Sequence, residues 1–472
     1  MNTAEKSHGP ARVCALAAML ALQLLAQAAT LPDAAPMPTP TPTPVSGLAP
    51  GANPSPVTLR LPPQAPLSAM AQLGRRLFFD PRLSGSGHQS CASCHSPAHA
   101  YGPPGDAPVV LGGHDGTHRG LRAVPSLRYL YRQPAFSIGP DAAGDNDHAP
   151  TLQQQAHSAA TGTRVDKTAA APFAASTNLV PQGGLFWDGR ADTLQQQAMG
   201  PLFNPDEMDG GTPAQVVARL QRASYADDFR RLFGDQIFAS PGQALAEALF
   251  AISRFQIEDA SFHPFSSKFD AWLAGRARFT PAEQRGYRAF NDPKRGNCAA
   301  CHLDQPTRDS LPPLLTDDQY EALGVPRNPA IPANRDPAFF DLGLCGPLRT
   351  DLHDQRQYCG MFLTPSLRNV ATRQVFFHNG AFHSLRDVLQ WYADRDLQPE
   401  RFYPHDAQGQ VHKYDDLPAP LRANVDVTDA PFDRHPGDAP ALSAGDIEDL
   451  SAFLATLTDA DGVGSQAARR SK

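Results

Sequence analysis

The chain has 472 residues, 41% hydrophobic and 19% charged, an ordinary globular mix long enough for two or three domains. Its formal net charge of −7 gives a general nucleic-acid role no electrostatic support. The 47 prolines are the anomaly, and many sit near the front.

In chain order, Lys6 and Arg12 precede the apolar run VCALAAMLALQLLAQAA, which closes on Ala26-Gln27-Ala28. This is the pattern of a cleaved signal peptide over residues 1–28. Gln23 and Gln27 make the run too short and polar to span a membrane. Export to the periplasm, with no membrane span after cleavage, is therefore expected. Residues 29–66 are rich in Pro and Thr, cannot bury apolar surface and are expected to form an extended, disordered linker.

Order is expected from Leu67, where Leu67, Met70, Leu73, Leu77 and Phe78 recur at helical spacing just before CASCH at 91–95. Helical stretches follow in ADTLQQQAMGPLF, PAQVVARLQRASYADDFRRLF and QALAEALFAISRFQIE. FTPAEQRGYRAF opens with Thr280 as cap, Pro281 at the first helical position and Glu283 closing a capping box, and leads to CAACH at 298–302. LSAGDIEDLSAFLATLTD places Ser443 and Asp446 as cap and third residue, with Ile447, Leu450, Phe453, Leu454 and Leu457 as its apolar stripe. No run of alternating strands stands out. The expected fold is mostly α, with helices joined by long Pro/Gly-rich loops.

Seven cysteines are present. Cys14 leaves with the signal, four lie in the pentapeptides, and Cys345 and Cys359 remain. In an oxidising compartment these two can close a loop of about 15 residues, worth roughly 3 kcal/mol; the alternative is two free buried thiols.

Cys-x-x-Cys-His is the attachment signature of c-type heme. The two thiols add across the porphyrin's vinyl groups and the histidine supplies an axial nitrogen. A redox Cys-x-x-Cys or half a zinc site are the alternatives, disfavoured by the histidine following both copies. Two covalent hemes are expected, one on Cys91, Cys94 and His95, the other on Cys298, Cys301 and His302. Their sixth positions decide between an electron carrier, with both irons blocked, and a peroxide enzyme with one iron open. His99, His114 and His118 are candidates at the first heme. Met361, His378, His383, Tyr392 and His405 are candidates at the second.

LGRRLFFDPRLS before CASCH, FWDGRADTLQQQAMGPLFNPDEM, and TPSLRNVATRQVFFHNGAFHSLRDVLQWY together resemble the bacterial di-heme cytochrome c peroxidase and MauG family. The resemblance runs from Leu67 to Asp459. It implies two cytochrome c-like domains, here residues 67–275 (peroxidatic heme) and 276–462 (electron-transfer heme), followed by a disordered tail at 463–472. It also implies that hydrogen peroxide reacts at the N-terminal heme with electrons relayed through the C-terminal one.

By the same resemblance Trp187 lies between the hemes, Gln197 and Glu207 are the polar residues of the peroxide pocket, and Pro201 lines it. A carboxylate beside heme can carry the proton that O–O cleavage requires. The bland alternatives are a core tryptophan and a solvated helix-start carboxylate. Fourteen residues after His378, where the peroxidases carry a methionine ligand, stands Tyr392, as in MauG-like members. Phenolate stabilises ferric and higher iron states, methionine ferrous iron; the alternative is a buried aromatic with its hydroxyl bonded elsewhere. The first heme is expected to be five-coordinate, with His114 as its possible gate. Calcium between the domains is doubtful, because Ala123 replaces the family's asparagine, leaving only backbone carbonyls near Arg373 and Val375.

Three functions follow as expectations. The first is a peroxidase using a small cytochrome or copper protein as donor. The second is a MauG-like oxidase that modifies a partner protein by long-range electron transfer. The third is a non-catalytic di-heme carrier.

Overall fold

The computed structural model describes residues 49–140 and 179–460; the expected signal, residues 29–48 of the expected linker and the expected tail lie outside the described residues. Most of the described helices open on a side-chain cap. α1 (Ala69–Phe78) starts at Ser68, whose hydroxyl accepts from the Ala71 amide, and buries Leu73, Leu77 and Phe78. α2 (Cys91–Cys94) is the single turn of the first pentapeptide. α3 (Leu194–Phe203) opens at Thr193.

The expected long helix after Thr212 is two, α4 (Pro213–Gln221) and α5 (Ala226–Phe233). The chain breaks between them because the buried Tyr225 turns its hydroxyl to Asp80 across the fold. α6 (Pro241–Glu258) is the longest helix described. α7 (Lys268–Leu273), α8 (Pro281–Asn291) and α10 (Ala444–Ala455) each begin with a capping box, at Ser267/Asp270, Thr280/Glu283 and Ser443/Asp446. α9 (Leu385–Asp394) begins at Ser384.

Among the described residues, strands are confined to three antiparallel ribbons: β1 (Leu111–Gly112) with β2 (His118–Arg119), β3 (Ser137–Pro140) with β4 (Leu179–Gln182), and β5 (Tyr320–Glu321) with β6 (Phe362–Leu363).

Two large hydrophobic clusters result. The first gathers Leu73, Leu77 and Phe78 of α1 with Leu220, Phe229, Leu249 and Phe255. The second gathers Phe269, Trp272, Phe290, Leu389, Ile447, Leu450 and Phe453. Each is organised by a helix crossing with glycine at the contact. A Cβ on Gly74 would lie 1.8 Å from the Ala251 carbonyl oxygen of α6, and one on Gly286 would lie 2.0 Å from that of Asp449 in α10. Only hydrogen at these positions lets the backbones meet.

Phe269, Trp272 and Leu273 of α7 pack in the second cluster. Residues 49–66, expected to be disordered, are held against the second cluster. Gly51 O accepts from Phe279 N and the Trp272 indole, Val57 N donates to Leu273 O, and Arg60 N to Ser310 O. A proline-rich strand has few amide donors to satisfy, so a handful of bonds anchors it without secondary structure. Cys345 and Cys359 form the expected disulfide.

Candidate active site

The two pentapeptides sit in equivalent surroundings, and the equivalence is written in the sequence. Gly74-x-x-x-Phe78-x-Asp80-Pro81 precedes the first, and Gly286-x-x-x-Phe290-x-Asp292-Pro293 the second. After each comes a Pro-Ser-Leu-Arg segment, at 125–128 and 365–368, whose serine hydroxyl donates to a distant carbonyl, Ser126 to Ala100 and Ser366 to Leu314.

His95 Nδ1 lies 3.1 Å from the Tyr101 carbonyl, and His302 Nδ1 lies 3.0 Å from that of Leu315. A carbonyl only accepts, so Nδ1 carries the proton in both rings and Nε2 keeps its lone pair, the tautomer of a metal ligand. Burial lowers both imidazoles to about 4, which keeps them neutral. Burial likewise pushes the thiols of Cys91 and Cys298 up to about 12 and that of Cys94 to about 11. A redox Cys-x-x-Cys needs the opposite shift.

A cavity of about 320 Å³ is lined by Cys298, Cys301, His302, Tyr392 and Phe432, and also by Gln197, Leu127, Trp187 and Arg373. Cys91, Cys94, His95, Pro201 and Glu207 do not line it. The residues fit heme: the thiols of Cys298 and Cys301 and the neutral His302 imidazole line a space shared with aromatic side chains and with the half-buried cation Arg373. Arg373 has no carboxylate partner among the described residues, and burial lowers its guanidinium to about 10. Such a charge calls for an anion, the role a heme propionate fills.

On the first side, Trp187 Nε1 donates to the Ala123 carbonyl at 2.8 Å, which fixes the indole. Gln197 is buried on α3, and Pro201 stands in the same helix. Glu207 lies in the turn after α3. Asn204 Nδ2 donates to its Oε1 at 3.0 Å, and its own carbonyl accepts from Gly113 N. Burial raises the Glu207 carboxyl, against the pull of Arg190 and Asn204. Burial raises the Cys94 thiol, and the Glu207 charge adds to the rise.

On the second side, Tyr392 packs against Trp391 and Phe432. Its hydroxyl makes no hydrogen bond with a described residue. Burial raises this phenol, and the nearby sulfurs of Cys298 and Cys301 add to the rise. An anionic form there requires a cation alongside. The other candidates are placed differently. His378 stacks on Phe362 and its Nε2 is 3.2 Å from Asp416. Met361 packs into a separate cluster with Tyr320 and Leu344, and His383 and His405 are exposed. Near the first pentapeptide, His99 Nδ1 meets Ser96 Oγ at 3.0 Å, and His114 and His118 lie on the β1–β2 hairpin.

The repeat continues through these walls. Phe186-Trp187-Asp188-Gly189 and Phe377-His378-Asn379-Gly380 make the same turn, with positive φ at both phenylalanines and both glycines, each closed by a bridge (Leu185 to Ala191, Phe376 to Phe382). Each turn leads into a ten-residue helix, α3 or α9, whose eighth residue is Pro201 in one and Tyr392 in the other. One half presents a phenol where the other presents a ring with no donor atom. Sequence reading that follows each half separately misses this correspondence; aligning Phe186-x-x-Gly189 with Phe377-x-x-Gly380 finds it.

Arg373 was also unforeseen as a side chain. Its Nε donates to Val375 O at 3.2 Å and its Nη2 to Val124 O at 3.1 Å. The Ala123 carbonyl is already taken by Trp187. Carbonyls around the doubtful calcium position thus bond to groups of the chain itself.

A family model described as di-haem cytochrome c peroxidase matches residues 68–278. The methylamine utilization protein MauG of Paracoccus denitrificans is 32% identical over 404 residues, spanning 83% of this chain and 89% of that protein. Cytochrome c551 peroxidase of Nitrosomonas europaea is 28% identical, spanning 68% and 72%. The crystal structure of the diheme peroxidase BthA from Burkholderia thailandensis superposes with a TM-score of 0.70 at 35% identity, covering 88% of this chain and 95% of that one. The mostly helical fold, the repeated Cys-x-x-Cys-His sites and these relatives agree: the chain belongs to the di-heme cytochrome c peroxidase and MauG family of heme-dependent oxidoreductases.

Proposed function

We propose that this protein is an exported, periplasmic di-heme peroxidase. It reduces hydrogen peroxide at the N-terminal site with electrons that enter at the C-terminal site from a small cytochrome or copper protein. Cys91 and Cys94, and Cys298 and Cys301, hold the two hemes covalently, and His95, His302 and Tyr392 ligate iron. When bound, the hemes supply the redox chemistry, two electrons per peroxide, on iron.

The chain's residues supply the rest. Gln197 orients peroxide or water by hydrogen bonding. Glu207, kept protonatable by burial, would accept a proton from hydrogen peroxide and return it to the departing oxygen. Trp187, fixed by Ala123 O, carries electrons between the two sites. Pro201 offers no donor atom, so the first site keeps room for peroxide. The pairing of Pro201 with Tyr392 at one helical position is the observation that carries this reading. It also argues against a carrier with two blocked irons.

Tyr392 favours a second reading, a MauG-like oxidase that spends peroxide on a partner protein by long-range electron transfer. Steady-state kinetics with a reduced small cytochrome separate the two. Rapid consumption of the donor supports the peroxidase, whereas negligible turnover with a long-lived oxidised form supports the oxidase. Low-temperature magnetic resonance of the resting ferric protein tests both: one high-spin and one low-spin iron is expected, and two low-spin irons that never bind cyanide would return the carrier.

A further inference from the structure

The β1–β2 hairpin carries three side chains whose chemistry the peroxide site does not use. One ligand atom each from His114, Asp115 and His118 lies within 4.8 Å of the others. His118 Nε2 is 3.9 Å from Asp115 Oδ1, and the two imidazole rings meet edge to face with centroids 5.4 Å apart. A tetrahedral ion with bonds of about 2.0–2.1 Å separates its donors by roughly 3.3 Å, so small side-chain rotations close the set.

The surroundings already organise it. Asp206 Oδ1, from outside the hairpin, accepts from His118 Nδ1 at 3.1 Å. That bond turns the Nε2 lone pair toward Asp115, the carboxylate-imidazole arrangement that orients metal ligands. The His118 ring also rests on the backbone of Gly113, where a Cβ would lie 2.6 Å from its Cγ. Asp209 Oδ2 stands 4.0 Å from His114 Nδ1 as a further carboxylate.

We propose that His114, Asp115 and His118 form a surface site for one divalent transition-metal ion of imidazole preference, such as zinc, copper(II) or nickel(II). An ion there ties the hairpin's tip to its second strand. Because Gly113 N donates to the Glu207 carbonyl and His118 to Asp206, the ion also stiffens the turn that carries Glu207. The binding site stands apart from the peroxidase reading and holds whichever substrate the protein uses.

Calorimetric titration of tag-free, heme-loaded protein with zinc tests it. One zinc per chain is expected. His114→Ala/His118→Ala should abolish binding, and Asp206→Asn should weaken it about tenfold or more. No saturable uptake, or equal uptake by the double variant, overturns the site. A changed heme absorption spectrum in the double variant also overturns it, because the histidines would then serve iron. Amide exchange of residues 111–119 is the second readout: slowing by zinc is expected, and exchange indifferent to bound zinc overturns the stiffening.

Discussion

At the residue scale, function concentrates in a few side chains whose surroundings set their chemistry. Glu207 sits where burial lifts its carboxyl and Arg190 pulls it back. In the proposed reaction Glu207 first accepts a proton and must be ionised, so activity should fall as pH drops through its raised pKa. Arg190→Gln removes the restraining charge, so the acid limb of the pH–rate profile should move to higher pH. Glu207→Gln, unable to take a proton, should lose about 100- to 10,000-fold in peroxide turnover with both hemes still attached. An acid limb unmoved in Arg190→Gln would place the titrating group elsewhere. For Tyr392, replacing a hard anionic donor by thioether favours ferrous iron. Tyr392→Met should raise the second heme's potential by on the order of 0.1–0.3 V, inside the roughly 0.8 V that axial ligands command. A redox titration reads this directly, and an unchanged potential would strike Tyr392 from the ligands.

At the element scale, the helix that precedes each pentapeptide is locked by a glycine. Intrinsic propensity says that Gly74→Ala should stabilise α1 by about 1 kcal/mol. Contact with Ala251 O says the reverse, because no rotamer moves a Cβ and the clash is with backbone. Overpacking of this kind costs about 1–3 kcal/mol. Net destabilisation of about 1–2 kcal/mol is therefore expected in chemical denaturation, and a stabilised variant would mean the helices part freely. The Cys345–Cys359 loop gives a second element-scale prediction. Removing the bond with Cys345→Ser/Cys359→Ser should cost about 3 kcal/mol and lower the melting temperature without altering heme content. The caps at Thr280 and Ser443 were legible in sequence because capping is local: the residues that satisfy the first amides lie within one turn. The split between α4 and α5 was not, since it answers to Asp80, some 145 residues away.

At the scale of the whole molecule, the two clusters are joined by buried charges. Arg128 and Tyr129 of the first half reach Asp459 after α10, and Arg122 binds Asp188 and Asp341 together. Arg373 spans the same junction. Since its guanidinium already bonds the carbonyls of Val124 and Val375, a calcium chelator should leave the absorption spectrum and activity unchanged. Arg373→Ala should destabilise the protein by about 1–3 kcal/mol through the acceptors it abandons. Loss of heme-heme coupling on chelation alone would show instead that calcium holds this junction.

The sequence by itself determined the two Cys-x-x-Cys-His motifs, most of the helices with their caps, the disulfide pair and the family. Each is a property of neighbours in the chain or of a motif with a fixed spacing. Only the tertiary structure decided that residues 49–66 are anchored, that Phe269 packs in the second core, and that the half-buried Arg373 has no carboxylate partner among the described residues. It also placed Pro201 and Tyr392 at matching positions of two equivalent helices. Those facts depend on which surfaces exclude water together, and solvent exclusion is set by packing between segments far apart in sequence, which no local pattern records.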